Sequence, residues 1–367
     1  MQWPAVGSTL VSLLNNFALQ TSLIYLPIFA NEIGASKLGV GVIGGIYGVA
    51  YLASSLFFGR LSDVKGRLIF VRMGLVLAAL GYAFQVFAGT PLALTLVRAL
   101  IGFCLGMSDA ALMAYNFEAG GRTGWFTSLG ALGWLLGAIV AIFIQSYHYL
   151  FLLSSVMSAG AFIVSLLIKE QKNRRVMTPN MNKMISHNAG VYVPFFLRNF
   201  GGNMAWFILP LYLQTIGASK MWIAILQGIN NGGQFVIMPF VERFRPSRLF
   251  IAGLLFSVAV FIAYAFTTNY LQVIPIQILL AVSWSCLFVG ALLQLLKDNE
   301  ERATSTGILF STGSFSQATG PFLGGFVAQL WGYQSMMYGA AGLCLAGYGV
   351  IKAQARWIKY RANKSVN

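Results

Sequence analysis

Three ionisable side chains stand well inside long apolar runs of this chain: Arg98, Asp109 and Arg198. Charge within hydrocarbon is costly, and such groups are kept where they carry protons, hold a charged solute or pair with one another. Arg98 and Asp109 share one run, eleven residues apart. On a helix that spacing returns them to one face, roughly 16 Å apart along the axis, too far for direct pairing. Asp109 and Arg198 fall at comparable depths in different runs. A carboxylate and a guanidinium placed so can meet across a central cavity and exchange for substrate or proton, or they can brace two helices permanently.

Amides offer a second kind of chemistry. Asn16 and Gln20 lie four residues apart and are followed by Pro27; Asn199 and Asn203 repeat the spacing and are followed by Trp206 and Pro210. Four-residue spacing puts each pair on one helix face, and amides at membrane depth must face protein or water. Gln227, Asn230, Asn231 and Gln234 form a further stripe. These faces are expected to line a solute pathway, with interhelical hydrogen bonding as the alternative. Trp134, Trp206 and Trp284 sit mid-run, where core packing is the commoner fate of such rings. His148 and His187 fall at run ends. Cys104, Cys286 and Cys344 each lie in an apolar run with no Cys-x-x-Cys spacing, which indicates neither disulfides nor a metal site. With no nucleophile–base set and no phosphate loop, neither an enzyme nor a cofactor is expected.

The elements that must position these groups follow from composition. Charged residues are 9% of the chain, against about 25% in soluble domains, and mean hydropathy is +0.73. This is the composition of a polytopic membrane protein. A net charge of +15 would suit a nucleic-acid partner, but the basic residues lie in short loops and the tail, so none is expected. Runs of ~20 apolar residues occur at approximately 7–31, 39–58, 69–88, 91–117, 122–146, 149–168, 189–214, 219–241, 248–267, 271–296, 303–330 and 335–356. The first reaches Phe29 without a basic leader, so no cleaved signal is expected.

The polar segment 169–188 divides six runs from six. It separates an N-terminal bundle, 1–168, from a C-terminal bundle with a short basic tail, 189–367. Leu14-Asn-Asn-Phe through Leu26-Pro27 to Ile33-Gly-Ala-Ser-Lys37 matches Leu197-Arg-Asn-Phe through Leu209-Pro210 to Ile216-Gly-Ala-Ser-Lys220, with ten identities in 24 positions at an offset of 183. An even number of spans per copy makes the repeats parallel. The predicted fold is all-α, with twelve transmembrane helices as two parallel six-helix repeats. Of the 24 lysines and arginines, twenty fall on one side and only Lys37 and Lys220 on the other. That bias predicts a multi-pass plasma-membrane protein with both termini cytoplasmic. Trp3, Trp125, Trp222, Trp331 and Trp357 lie near span ends, as interfacial anchors do.

Between the second and third runs, Gly59–Arg72 packs four basic residues and Asp63 into what reads as a short loop. Its pattern Gly59-x-Leu61-x-Asp63-x-x-Gly66-Arg67 resembles the signature loop of the major facilitator superfamily of transporters, and the parallel repeat extends the resemblance over essentially the whole chain. The resemblance implies a cytoplasmic gate of Gly59, Asp63, Gly66, Arg67 and Glu118. In it the acid bonds the local arginine and meets the start of the eleventh helix, Arg302-Ala-Thr-Ser-Thr306, whose amino end carries a positive dipole. The second-half counterpart, Phe240-Val-Glu242-Arg243 with Arg248, is degenerate, so the lock is expected on one side only. Leu94-x-x-x-Arg98-x-x-x-Gly102-x-x-x-Gly106 resembles the fourth-helix motif linked to proton coupling, with Ile101 where the family often has glutamine. The fifth-helix antiport signature is reduced to Gly133-Trp134 with Gly137, while Gly320-Pro321-x-x-Gly324-Gly325 occurs in the eleventh run. The resemblance implies a secondary transporter working by alternating access, a monomer in the lipid bilayer that moves a small organic molecule outward in exchange for protons. Import or exchange of an anionic metabolite is the alternative within the class, and a non-transporting membrane sensor the alternative outside it.

Overall fold

A computed structural model describes residues 3–121, 123–170, 181–299 and 302–364, and every regular element among them is helical. The first span is two pieces, α1 (Trp3–Leu23) and α2 (Leu26–Glu32), parted where Pro27 opens the second piece. There follow α3 (Lys37–Lys65), α4 (Arg67–Gln85), α5 (Pro91–Glu118), α6 (Thr123–Phe143) and α7 (Tyr147–Leu166). After the short α8 (Met181–His187), the pattern repeats. α9 (Ala189–Trp206) and α10 (Leu209–Thr215) part before Pro210; then come α11 (Lys220–Val241), α12 (Pro246–Ala265), α13 (Val273–Asp298) and α14 (Arg302–Lys364). At 63 residues, α14 would run about 95 Å if straight, three times a hydrocarbon core of about 30 Å. It turns instead at Gly332, whose φ of 82° and ψ of 173° suit glycine, and so supplies two spans.

Nine described helical stretches are long and apolar enough to cross a membrane, and the one at 305–354 is this double span. The two remaining spans, α9–α10 and α11, are less apolar because they carry Arg198 with the amide stripes. The twelve spans and the repeat match the sequence expectation. Within the first half α1 packs on α6 and α7, and α5 on α3 and α4; within the second, α9 packs on α14 and α13 on α11 and α12. The halves meet along α3 with α14 and α6 with α11. Large apolar side chains such as Phe57, Phe87 and Phe143 cover the outer faces.

Gly59–Arg72 differs from the loop expected there. Helix α3 continues through Lys65, about 44 Å for its 29 residues, and α4 starts at Arg67. Only Gly66 interrupts them, at φ 115°, with its N–H still bonded to Ser62 O at 3.2 Å. The charges lengthen a helix past the membrane rather than unwinding it.

Among the described residues, the halves are in main-chain contact toward one end, and the α14 glycines toward the other end make no such contact. At the end away from α1's start, a Cβ on Gly48 would lie 2.6 Å from Gln317 O, and one on Gly41 2.9 Å from Gly325 Cα. Main chain therefore lies on main chain there. Toward the opposite end, Gly307 and Gly313 of α14 meet nothing within 4 Å. Two lysines latch the touching end symmetrically. Lys220 Nζ lies 3.7 Å from Glu32 Oε1 and 3.8 Å from the Tyr147 ring centre. Its repeat mate Lys37 reaches Ala328 O at 3.5 Å and stands 4.4 Å over the Tyr333 ring. Tyr25 Oη adds a tie, 2.8 Å from Lys220 O.

Candidate functional site

Between the halves lies a cavity of about 410 Å³. The breaks before Pro27 and Pro210 border it, and both prolines line it. Its polar lining comes chiefly from the predicted stripes: Gln20 on α1, Asn199 and Asn203 on α9, and Gln227, Asn230, Asn231 and Gln234 on α11. Gln20 Nε2 donates to Gln227 Oε1 at 2.9 Å, joining the two halves. Asn230 Nδ2 donates to Gln277 Oε1 at 2.9 Å and Asn230 Oδ1 accepts from Gln234. Trp134, Trp206 and Trp284 all line the cavity, where packing alone would have hidden them. Asn16 is not a lining residue: its amide donates to Ser12 O at 2.8 Å and accepts from Trp134 Nε1 at 2.7 Å, orienting that ring.

The three membrane charges are kept apart. Arg198 lines the cavity yet is only 2% exposed. Its Nε donates to Ser257 Oγ at 3.0 Å, its guanidinium carbon stands 4.8 Å from the Trp284 ring centre, and its buried Nη2 has no protein partner. Asp109 lies outside the lining. It accepts from Asn15 Nδ2 at 2.8 Å, Tyr51 Oη at 3.3 Å and Ser108 Oγ at 3.4 Å. The pairing of Asp109 with Arg198 is therefore absent from this structure. Similar depth along the membrane left helix rotation open: Asp109 turns toward α1 and α3, and Arg198 toward α12 and α13.

Arg98 shares the direction of Asp109, as the eleven-residue spacing predicts. It is fully buried, donates from Nη1 to Ser22 Oγ at 3.0 Å and stands 4.4 Å over the Tyr47 ring. Its Nε and Nη2 have no protein partner. Arg98 does not line the cavity, but Tyr47 does, and so lies between the two. Sequence spacing missed Asn15, Tyr47 and Tyr51. One signal was present: Asn15 is the repeat mate of Arg198, so one helix position carries an acid's partner in one half and a bare cation in the other.

At the parted end, Arg67 Nη2 meets Glu118 Oε1 at 2.9 Å, and its Nη1 donates to Ser62 Oγ at 2.7 Å and to Gly59 O at 3.4 Å. The side chains of Asp63 and Arg302–Thr304 fall outside the described residues, and with them the expected contact of Asp63 to the eleventh span. Another carboxylate does occupy a helix start. Glu170 accepts from Arg67 N at 3.0 Å and Leu68 N at 2.9 Å, where the α4 dipole favours negative charge. Arg72 closes the same corner, donating to Ile168 O at 2.9 Å.

Two repeated helical bundles meeting around a polar cavity define a membrane transporter. The Major Facilitator Superfamily profile matches residues 8–230 and 191–364, and the chain belongs to that family. It is similar to multidrug resistance protein MdtG of Escherichia fergusonii, 24% identical over 92% of this chain and 90% of that one. It is also similar to MdtG of Escherichia coli strain 55989, at 24% over 90% and 89%. Among solved structures, the nucleoside transporter NupG superposes with a TM-score of 0.75 at 14% identity, covering 96% of this chain and 100% of that one. A bacterial homolog of the human lysosomal transporter Spinster, inward-facing and unoccupied, gives 0.72 at 13% identity, covering 96% of each chain. These likenesses show the fold. The chain is a multi-pass membrane protein that transports a small molecule, and is not an enzyme.

Proposed function

We propose that the chain exports a small organic solute across the plasma membrane in exchange for protons, as a monomer with both termini in the cytoplasm. The observation that carries this reading is the cavity between halves that meet at one end and part at the other. In this orientation the parted end faces the cytoplasm and the lysine latches face outward. Rocking about the midplane would exchange the two ends.

Asp109 is the proton carrier in this scheme. Three neutral donors hold its carboxylate, and no cation stands against it among the described residues. Protonation would remove the charge that Asn15 and Tyr51 address. Asn15 shares α1 with Gln20, whose amide bridges the halves at the cavity, so a shift of α1 links proton state to the solute site. Arg67, Glu118 and the expected Asp63 contact form the cytoplasmic gate. The multidrug resistance proteins named above support the outward direction.

The test is flux from purified protein in vesicles loaded with a pH-sensitive dye under an imposed pH gradient. Adding a transported solute should discharge the gradient with the wild-type chain and leave it intact with Asp109→Asn. No solute-dependent discharge would remove the proton coupling, and no flux of any acid, base or neutral compound would favour a non-transporting sensor.

A further inference from the structure

Arg198 is the one charged side chain among the described residues that line the cavity. The remaining polar lining consists of side-chain amides and the Tyr47 hydroxyl, with tryptophan indoles beside them. Among the described residues no carboxylate answers the guanidinium: Nε is taken by the neutral Ser257, and Nη2 is buried with no protein partner. A buried donor left unmade is costly, and more so when charged. A planar guanidinium with free N–H groups also matches carboxylate and phosphate oxygens. The Trp284 ring beside Arg198, with Trp206 on the same helix as Arg198, offers flat apolar surface next to that charge.

We infer that the solute is an organic anion, a small aromatic acid whose carboxylate or phosphate meets Arg198 while its ring lies against Trp284 and Trp206. This deepens the transport reading and rests on it. A cationic solute finds the opposite: a like charge in a low-dielectric wall and no acid among the described lining residues, since Asp109 lies outside the lining. The cavity volume of about 410 Å³ falls within the ~300–1,000 Å³ of pockets for drug-sized ligands. The amides can bond the polar edge of the ring and set its orientation.

The experiment measures binding apart from transport. Full-length protein in zwitterionic-lipid discs is melted with matched sets on naphthyl, indolyl and phenyl scaffolds, each set an acid, its uncharged amide and the corresponding ammonium. Ligand that binds the folded state raises Tm by mass action. At least one acid should bind tenfold or more tightly than its amide, about 1.4 kcal/mol, and its ammonium should give no shift. Arg198→Gln should remove the preference of acid over amide, and Arg198→Lys should restore part of it. Equal binding of acid and ammonium, an unchanged preference in Arg198→Gln, or no binding by any acid would overturn the inference. Phosphatidylglycerol added to the discs should leave the shift in place; its loss would assign Arg198 to a lipid headgroup and overturn the solute assignment. Failure here with solute-driven proton flux intact sinks the anion class alone, whereas acid binding without any flux sinks the transport reading and leaves the site.

Discussion

Replacing Asp109 with asparagine keeps the shape of the side chain and removes its charge. In this structure the carboxylate holds one short bond, from Asn15 at 2.8 Å, and two long ones, from Tyr51 at 3.3 Å and Ser108 at 3.4 Å. Hydrogen bonds to charged groups contribute about 1.5–3 kcal/mol and neutral ones about 0.5–1.5 kcal/mol. Only the Asn15 bond is short enough to lose most of that difference, and burying a neutral amide is cheaper than burying a carboxylate. The net cost to folding should therefore lie within about 1 kcal/mol. A brace against Arg198 would behave otherwise, since removing one partner of a buried pair costs about 3–5 kcal/mol. The assay combines thermal unfolding of the purified variant with pH-driven flux in vesicles. Asp109→Asn should melt close to wild type and lose coupling. A large loss of stability rescued by Arg198→Gln would restore the brace, and unchanged pH-dependent flux would remove Asp109 from the mechanism.

Other consequences are equally direct. Lys37→Met with Lys220→Met cuts both outer latches, of which the part-exposed Lys220–Glu32 pair holds about 0–1 kcal/mol; the double variant should shift the population outward-open, seen as longer spin-label distances between α2 and α10. Gly48→Val drives side-chain atoms into the α14 main chain beside Gln317 O and should cost about 1–3 kcal/mol or pry the outer seal apart, read by melting and by the same distances. Glu118→Gln replaces a charge-assisted bond to the largely buried guanidinium of Arg67 with a neutral one and should cost about 1–2 kcal/mol, measured by thermal unfolding; no change would mean that the other partners of Arg67 suffice. Cysteines at Gly89 and Thr268 should react with an impermeant reagent outside intact cells, and those at Lys65 and Glu242 should not; the reverse pattern would invert the topology.

The spans, their number and the duplication were legible because hydropathy and a 183-residue offset do not depend on helix rotation. Most of the cavity-lining amides were legible for a related reason, since i, i+4 spacing defines a face and lipid forbids that face to point outward; Asn16 instead orients Trp134, and the lining residues Gln277 and Gln317 belong to no such stripe. What rotation decides was not legible. Asn15 and Asn16 are neighbours in sequence, yet one holds Asp109 and the other Trp134. Lys37 and Lys220 read as a repeated pair and as the exceptions to a charge bias, while the fold makes them cross-half contacts. Charge density made Gly59–Arg72 look like a loop, because hydropathy marks where the membrane ends and not where the helix does. Glu170 passed unnoticed in a polar linker, since its partner is the main chain of a helix start that no side-chain motif marks.

The central claim is that the two halves rock about the cavity, and pulsed electron spin resonance tests it whatever the solute is. One pair of labels belongs at Phe57 and Ser311, exposed on α3 and α14 at the parted end; the other belongs at Asn31 and Gln214, exposed on α2 and α10 at the sealed end. As pH is varied or an aromatic acid is added, one distance should lengthen as the other shortens, in opposite proportions. Two distances that stay fixed under every condition, or that change together, would contradict alternating access in this protein.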